Sequence, residues 1–117
     1  MIKIRENIPL APYTIYKVGG FARFFVEITG IDDLREAVVF AREKGLKHVI
    51  LGAGSNMLIS DNGFDGLVIR MTGGGIQVQG ERMAVDAGVM MARAVTESGK
   101  AALHGFEWGI GVPGTIG

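Results

Sequence analysis

The sequence predicts an α+β fold, and three observations support that prediction. Residues 22 to 28 alternate in the direction of their side chains as a strand does, and residues 31 to 44 repeat apolar side chains at helical spacing. Further short apolar runs follow, each bounded by a glycine-containing turn. With 117 residues, the chain is long enough to bury one globular core.

The first half predicts the element order β-α-β-β-β. In the first strand, Ala22, Phe24, Val26 and Ile28 share one face. A helix of about 14 residues follows, with Thr29 and Asp32 as a capping box at its start and Gly45 as its C-terminal stop. Its apolar face is predicted to contain Ile31, Leu34, Val38 and Ala41. The remaining strands are predicted at the buried run 49–51 and at residues 57–59 and 67–70.

The second half predicts a hairpin and a second helix. Residues 76–79 and 82–85 alternate around Gly80-Glu81, which predicts a type II′ turn. Met91, Ala94, Val95 and Ser98 predict one face of a helix that Gly99 ends. The glycines at 73–75 predict a boundary between a first subdomain, 1–72, and a second, 73–117. Because the sequence finishes on a glycine-rich loop, we expect the second subdomain to be incomplete on its C-terminal side.

Charge and composition limit the partners, metal sites and cellular location that we expect for this chain. Twelve basic residues balance twelve acidic ones without a charge block, so neither nucleic acid nor an anionic membrane is an expected partner. The chain has no cysteine, and His48 and His104 lack further ligands at metal-binding spacing, so no metal site is expected. No apolar run reaches the roughly 18 residues that span a bilayer, and no signal peptide is evident. We therefore predict a cytoplasmic protein.

The loop Gly52-Ala53-Gly54-Ser55-Asn56 is the strongest candidate for a ligand site. It follows a strand, and its two glycines allow backbone N–H groups to surround a phosphate without an intervening Cβ. It is not a Rossmann fingerprint, because Met57 stands where the third glycine would be. The alternative is an ordinary glycine turn. Trp108 beside Phe106 could stack on a cofactor ring, but we predict that this pair is local core.

Three segments taken together resemble one enzyme family. They are Lys17-Val18-Gly19-Gly20, the run from Leu51 to Asp61, and Gly111-Val112-Pro113-Gly114-Thr115-Ile116-Gly117. In this order they are similar to UDP-N-acetylenolpyruvoylglucosamine reductases, also called UDP-N-acetylmuramate dehydrogenases (the MurB family). The resemblance implies a two-subdomain FAD-binding domain of the p-cresol methylhydroxylase-like type, truncated at its C-terminal side. Ile15 departs from the threonine or serine of many relatives, which affects only the details of that loop.

The resemblance also implies which residues bind the cofactor. The loop following the third predicted element would hold the FAD pyrophosphate, and the last segment would approach the flavin ring. The implied cofactor-binding residues are Gly52, Ala53, Gly54, Ser55, Asn56, Met57, Val112, Pro113, Gly114 and Gly117.

The implied reaction is a hydride relay in peptidoglycan synthesis. NADPH reduces FAD, and the reduced FAD passes hydride to the enolpyruvyl group of UDP-N-acetylglucosamine enolpyruvate. The family's catalytic serine, arginine and glutamate lie beyond the part that this sequence matches, so no catalytic residue is assigned here. We expect the chain alone to be inactive and to need the C-terminal part of the same protein as its partner. The alternatives are another FAD-linked oxidoreductase of the same fold and a non-catalytic nucleotide-binding module.

Overall fold

The first half of the chain forms a four-stranded mixed sheet. The computed structural model describes all residues from Met1 to Gly117. The strands of the sheet are β1 (Arg5–Pro9), β2 (Phe21–Ile28), β3 (Lys47–Leu51) and β4 (Phe64–Met71), in the spatial order β1-β2-β4-β3. Strand β1 is antiparallel to β2, whereas β2, β4 and β3 are mutually parallel. Helix α1 (Ile31–Glu43) connects β2 to β3.

The observed order is therefore β-β-α-β-β, and the predicted β-α-β-β-β order is wrong in two places. Strand β1 was missed because polar residues, a positive φ of 51° at Asn7 and a terminal Pro9 interrupt its pattern. Residues 57–59 are apolar but form no strand. Met57 and Ile59 pack onto the sheet core, whereas Leu58 is 78% exposed.

Strand β2 changes the alternation of its side chains at a register shift between Ala22 and Phe24. Val26 and Ile28 are buried under α1, with Phe24 half-buried beside them. Ala22 belongs instead to the opposite face with Phe25, so the prediction that it shares a face with Phe24 is wrong. A bulge of this kind reverses the alternation beyond it.

Helix α1 packs through small residues. Ala37 and Ala41 are fully buried against the sheet, and Leu34 is half-buried beside them. The predicted face is wrong for Ile31 and Val38, which are 60% and 36% exposed. The buried stripe follows positions 34, 37 and 41, because alanine lets the helix backbone approach the strands closely.

Both ends of α1 show why the helix has these bounds. The hydroxyl and the N–H of Thr29 both donate to the carboxylate of Asp33 at 3.3 Å, but the N-cap residue is Gly30 and no side chain caps the helix. The predicted capping box of Thr29 and Asp32 is therefore wrong. At the other end Gly45 has a φ of +61°, and the Leu46 N–H donates to the Ala41 carbonyl at 2.8 Å. The predicted stop at Gly45 is confirmed, with the geometry of a Schellman motif.

The second half begins with a hairpin of β5 (Ile76–Gln79) and β6 (Arg82–Val85), joined through Gly80 with a φ of +59°. Helix α2 (Met91–Lys100) then buries Ala94 and Ser98, as predicted. It runs through Gly99 and is not ended by it. The left-handed residue after its end is Ala102, and the Leu103 N–H donates to the Ser98 carbonyl at 2.9 Å. No helix is long and apolar enough to cross a membrane.

The face of the sheet opposite α1 is covered by irregular chain. Leu10, Phe25 and Val68 are buried there, and a short 3₁₀ turn at Ala11–Tyr13 packs across them. Because β3 is an edge strand, Ile50 is 46% exposed, so the run 49–51 is only partly buried. This irregular cover is where the candidate site forms.

Candidate functional site

The parallel strands β2, β3 and β4 all end at the same edge of the sheet. The loops that begin there follow Ile28, Leu51 and Met71. In open sheets with parallel strands, ligands bind outside the carboxyl ends of the strands. The candidate loop Gly52–Asn56 therefore starts at the edge where a ligand is expected.

The backbone of this loop is fixed by the segment before β2. Gly54 has a φ of +68°, and a Cβ added there would lie 2.0 Å from the Tyr13 carbonyl oxygen. The Ile15 N–H donates to the Gly54 carbonyl at 3.0 Å. Glycine is therefore required at position 54 by close packing against Tyr13 and Thr14, and not by open space for a phosphate as the sequence suggested.

The same loop lies against the last segment of the chain. A Cβ on Gly52 would be 2.7 Å from the Thr115 hydroxyl oxygen, and a Cβ on Gly114 would be 2.9 Å from the Ser55 hydroxyl oxygen. Two glycines on opposite sides thus allow the two segments to approach. The structure brings together the two motifs that the sequence singled out separately.

Residues Gly114 to Gly117 are held in place from the other side. The Met91 N–H donates to the Gly114 carbonyl at 2.9 Å, and the Ile116 N–H donates to the Val89 carbonyl at 2.9 Å. Gly117 donates to the Ala87 carbonyl at 3.0 Å and packs against the Ala87 side chain. The segment is therefore anchored to the chain just before α2.

The remaining predicted residues have different surroundings. Gly114 is buried, while Val112 and Pro113 are exposed beside it. Asn56 is exposed, and Met57 is half-buried on the core of the sheet. Met57 therefore packs the end of the loop against the core of the sheet.

Several hydrogen-bond donors where the two segments meet have no partner within the protein. No N–H group from Ala53 to Asn56 donates to a protein acceptor, and neither do those of Gly114 and Thr115. The hydroxyls of Ser55 and Thr115 have no partner either. Residues 52–57 and 112–117 contain no acidic side chain. Free donors in two segments that contain no acidic residue are suited to an anion such as a phosphate.

Comparison with known families decides the class of this domain. The FAD binding domain family matches residues 22–117, which include both of these segments. The chain belongs to this FAD-binding family. The predicted α+β FAD-binding fold is confirmed.

The FAD-binding domain is also similar to individual proteins of one named enzyme. It is 36% identical to the UDP-N-acetylenolpyruvoylglucosamine reductase of Synechococcus sp. (strain WH7803) and 39% identical to that of Rhodopirellula baltica, over 97% of this chain in both comparisons. A crystal structure of the Thermus caldophilus reductase matches the whole chain with a TM-score of 0.78 and 29% identity. The resemblance seen in the motifs is confirmed. The chain spans 38% of the length of each of the two curated relatives and 41% of that structure.

The aromatic pair and the histidine lie outside the two segments of the candidate site. Trp108 is 68% exposed and meets Phe106 edge-to-face at 5.4 Å, so the prediction that the pair is local core is wrong for Trp108.

The pKa of the Glu107 carboxyl is held below its ordinary value by hydrogen bonds from the backbone N–H groups of Glu107 itself and of Gly105, and His104 adds a smaller effect. No group of three or more His, Cys, Asp or Glu side chains is placed to hold a metal ion.

Sequence reasoning missed two residues of the site. The Tyr13 carbonyl oxygen packs closely against Gly54, and Thr115 has a free hydroxyl opposite Gly52. Thr115 lies within the final motif and could have been selected there. Tyr13 gave no signal, because its role depends on a contact with Gly54 that is distant in sequence.

Proposed function

We propose that this chain is the FAD-binding part of a UDP-N-acetylenolpyruvoylglucosamine reductase. The whole enzyme would use NADPH to reduce the enolpyruvyl group of UDP-N-acetylglucosamine enolpyruvate, giving UDP-N-acetylmuramate for peptidoglycan synthesis and hence for cell shape and division. The observation that supports this most is the meeting of the two motif segments around unpaired donors. The relatives named above all carry this enzyme's name, which favours it over another FAD-linked oxidoreductase or a non-catalytic module.

In this proposal the pyrophosphate of FAD lies at the loop from Gly52 to Asn56. The N–H groups of Ala53, Gly54, Ser55 and Asn56 donate to its oxygens, and the hydroxyls of Ser55 and Thr115 add to them. Backbone donors held in a fixed loop bind an anion without having to reorganise. Gly52 contributes by allowing Thr115 to approach, and Met57 by supporting the loop.

The flavin ring is proposed to lie beside the final segment. Val112 and Pro113 form its exposed border, and Gly114 keeps the backbone close to Ser55. Gly117 acts through its close packing against Ala87, which anchors the segment. When bound, FAD supplies the hydride-transfer chemistry, and the residues of this chain bind and orient it.

The division of the domain is part of the same proposal. Residues 1–72 would form the first FAD-binding subdomain and residues 73–117 the start of the second, with the cofactor between them. The partners would be the sugar-nucleotide substrate, NADPH and the C-terminal part of the same protein, in the cytoplasm. The chain's share of its relatives' length is the reason for proposing that further part.

Equilibrium dialysis of the 117-residue chain against FAD and against riboflavin tests the flavin site. Riboflavin has the same ring but lacks the diphosphate. We expect FAD to bind at least about tenfold more tightly, because charge-assisted hydrogen bonds to the phosphates are lost with riboflavin. Equal affinity for both, or binding of neither, would contradict the proposed pyrophosphate site.

A further inference from the structure

Three charged side chains form a network on the side of the sheet that carries the candidate loop. Glu27 of β2 accepts a hydrogen bond from Arg70 of β4 and another from Arg5 of β1, the second at 3.2 Å. Two guanidinium groups thus share one carboxylate, which leaves a net positive charge. All three side chains are between 32% and 40% exposed, so they are open to a ligand from solvent.

Arg70 is the member of this network that lies beside the loop. In the sheet it is in register with Leu51, the residue directly before Gly52. Its guanidinium carbon lies 5.0 Å from the centre of the Tyr13 ring. The carbonyl oxygen of the same Tyr13 is the atom that a Cβ on Gly54 would meet most closely, at 2.0 Å. Arg70 and the loop are therefore in contact with the same residue.

The orientation of the Arg70 guanidinium is fixed from two sides. Glu27 accepts from its Nη1 group, and the Tyr13 ring, itself stacked on Phe25 at 4.7 Å, lies against the guanidinium. No other acceptor in the protein receives a hydrogen bond from Arg70, so most of its five donors are free. A planar guanidinium with free parallel N–H groups matches two oxygens of a phosphate.

We propose that Arg70 binds a phosphate oxygen of the diphosphate seated at the Gly52–Asn56 loop. Glu27 and Tyr13 act as positioning residues, holding the guanidinium at the edge of the sheet. This inference rests on the proposed FAD site and adds to it a side-chain cation from β4. The loop then supplies neutral backbone donors, while Arg70 supplies the charge that balances the phosphates.

Arg5 is a matched control within the same network. It carries the same charge and bonds to the same carboxylate, but it is in register with Phe25, two residues before Glu27, and its guanidinium lies over the Phe25 ring at 4.9 Å. Loss of Arg5 therefore changes the net charge and the pairing of Glu27 as much as loss of Arg70 does, but it removes no donor beside the loop.

The test compares the dissociation constants of FAD and riboflavin for the 117-residue chain and its variants. In Arg70→Gln, we expect the dissociation constant of FAD to rise at least about tenfold, which is the loss expected for one charge-assisted hydrogen bond. The dissociation constant of riboflavin should not change. Arg70→Lys should give an intermediate loss, because it keeps the charge but not the planar fork. Arg5→Gln, the same substitution at the control position, should change FAD binding by less than about threefold.

Each outcome separates this inference from the proposed function. If the unaltered chain prefers FAD to riboflavin and both Arg70 variants keep that preference in full, Arg70 does not bind the phosphate although the FAD site stands. An equal loss in Arg5→Gln would show a general charge effect and would also overturn the inference. If the backbone amide signals show that Arg70→Gln does not fold, the FAD affinity of Arg70→Lys decides whether Arg70 binds the phosphate. If the unaltered chain has no preference for FAD, the proposed function itself fails.

Discussion

The 117-residue chain, supplied with FAD, NADPH and UDP-N-acetylglucosamine enolpyruvate, is expected to show no substrate-dependent oxidation of NADPH. The resemblance places the family's catalytic serine, arginine and glutamate beyond the part that this sequence matches, so no residue of this chain is assigned to protonate the product of hydride addition. A positioned general acid typically contributes about 10²–10⁴-fold to the rate. Orientation of the substrate over the flavin is worth about 7–11 kcal/mol more, and this chain holds only 38% of the length of its relatives.

The measurement follows NADPH absorbance with and without the enolpyruvyl substrate. A protein-free sample with free FAD gives the background, and a full-length relative serves as the positive control. Turnover by the 117-residue chain above that background would show that the reacting groups lie within these residues, and the assignment of catalysis to another part of the enzyme would be wrong.

Gly54→Ala is expected to destabilise the domain and to remove most of its FAD binding. The added Cβ would lie 2.0 Å from the Tyr13 carbonyl oxygen, so the loop and the segment before β2 must separate. Overpacking of this kind costs about 1–3 kcal/mol. A left-handed alanine costs about 1–2 kcal/mol in addition.

Gly80→Ala separates these two contributions. Gly80 has a φ of +59°, close to the +68° of Gly54, but a Cβ there meets nothing within 4 Å. It should therefore show the backbone cost alone and bind FAD as the unaltered chain does. The free energies of unfolding come from denaturant titration and the affinities from dialysis. Equal behaviour of the two variants would show that Gly54 is an ordinary turn residue.

Periodicity predicted the elements whose packing is decided locally. The strand ending at Ile28, the stop at Gly45 and the hairpin around Gly80 all follow from short stretches of sequence. Ala22 was placed on the wrong face, because the bulge beside it depends on the register with β4. Val38 fits helical spacing as well as Ala37 does, and only the close approach of the sheet selects alanine.

In the candidate site too, the sequence predicted features that depend on neighbouring residues and not those that depend on contacts between distant ones. Glycine content and the resemblance identified Gly52–Asn56 and Gly114 as candidates, because such loops can be recognised from a few neighbouring residues. The contacts of Gly52 with Thr115 and of Gly54 with Tyr13 join segments far apart in the chain. Arg70 carried no signal for the same reason, since its position beside the loop follows from the pairing of β3 with β4.

Amide chemical shifts of the 117-residue chain during titration with FAD test most directly whether the two segments form one phosphate-binding cleft. The amides of Ala53, Gly54, Ser55, Asn56, Gly114 and Thr115 are expected to shift together, with a single dissociation constant. ADP, which carries the diphosphate without the flavin, should shift the same set, and riboflavin should leave the amides of residues 53–56 nearly unchanged. Shifts confined to other parts of the chain, or in only one of the two segments, would contradict the account.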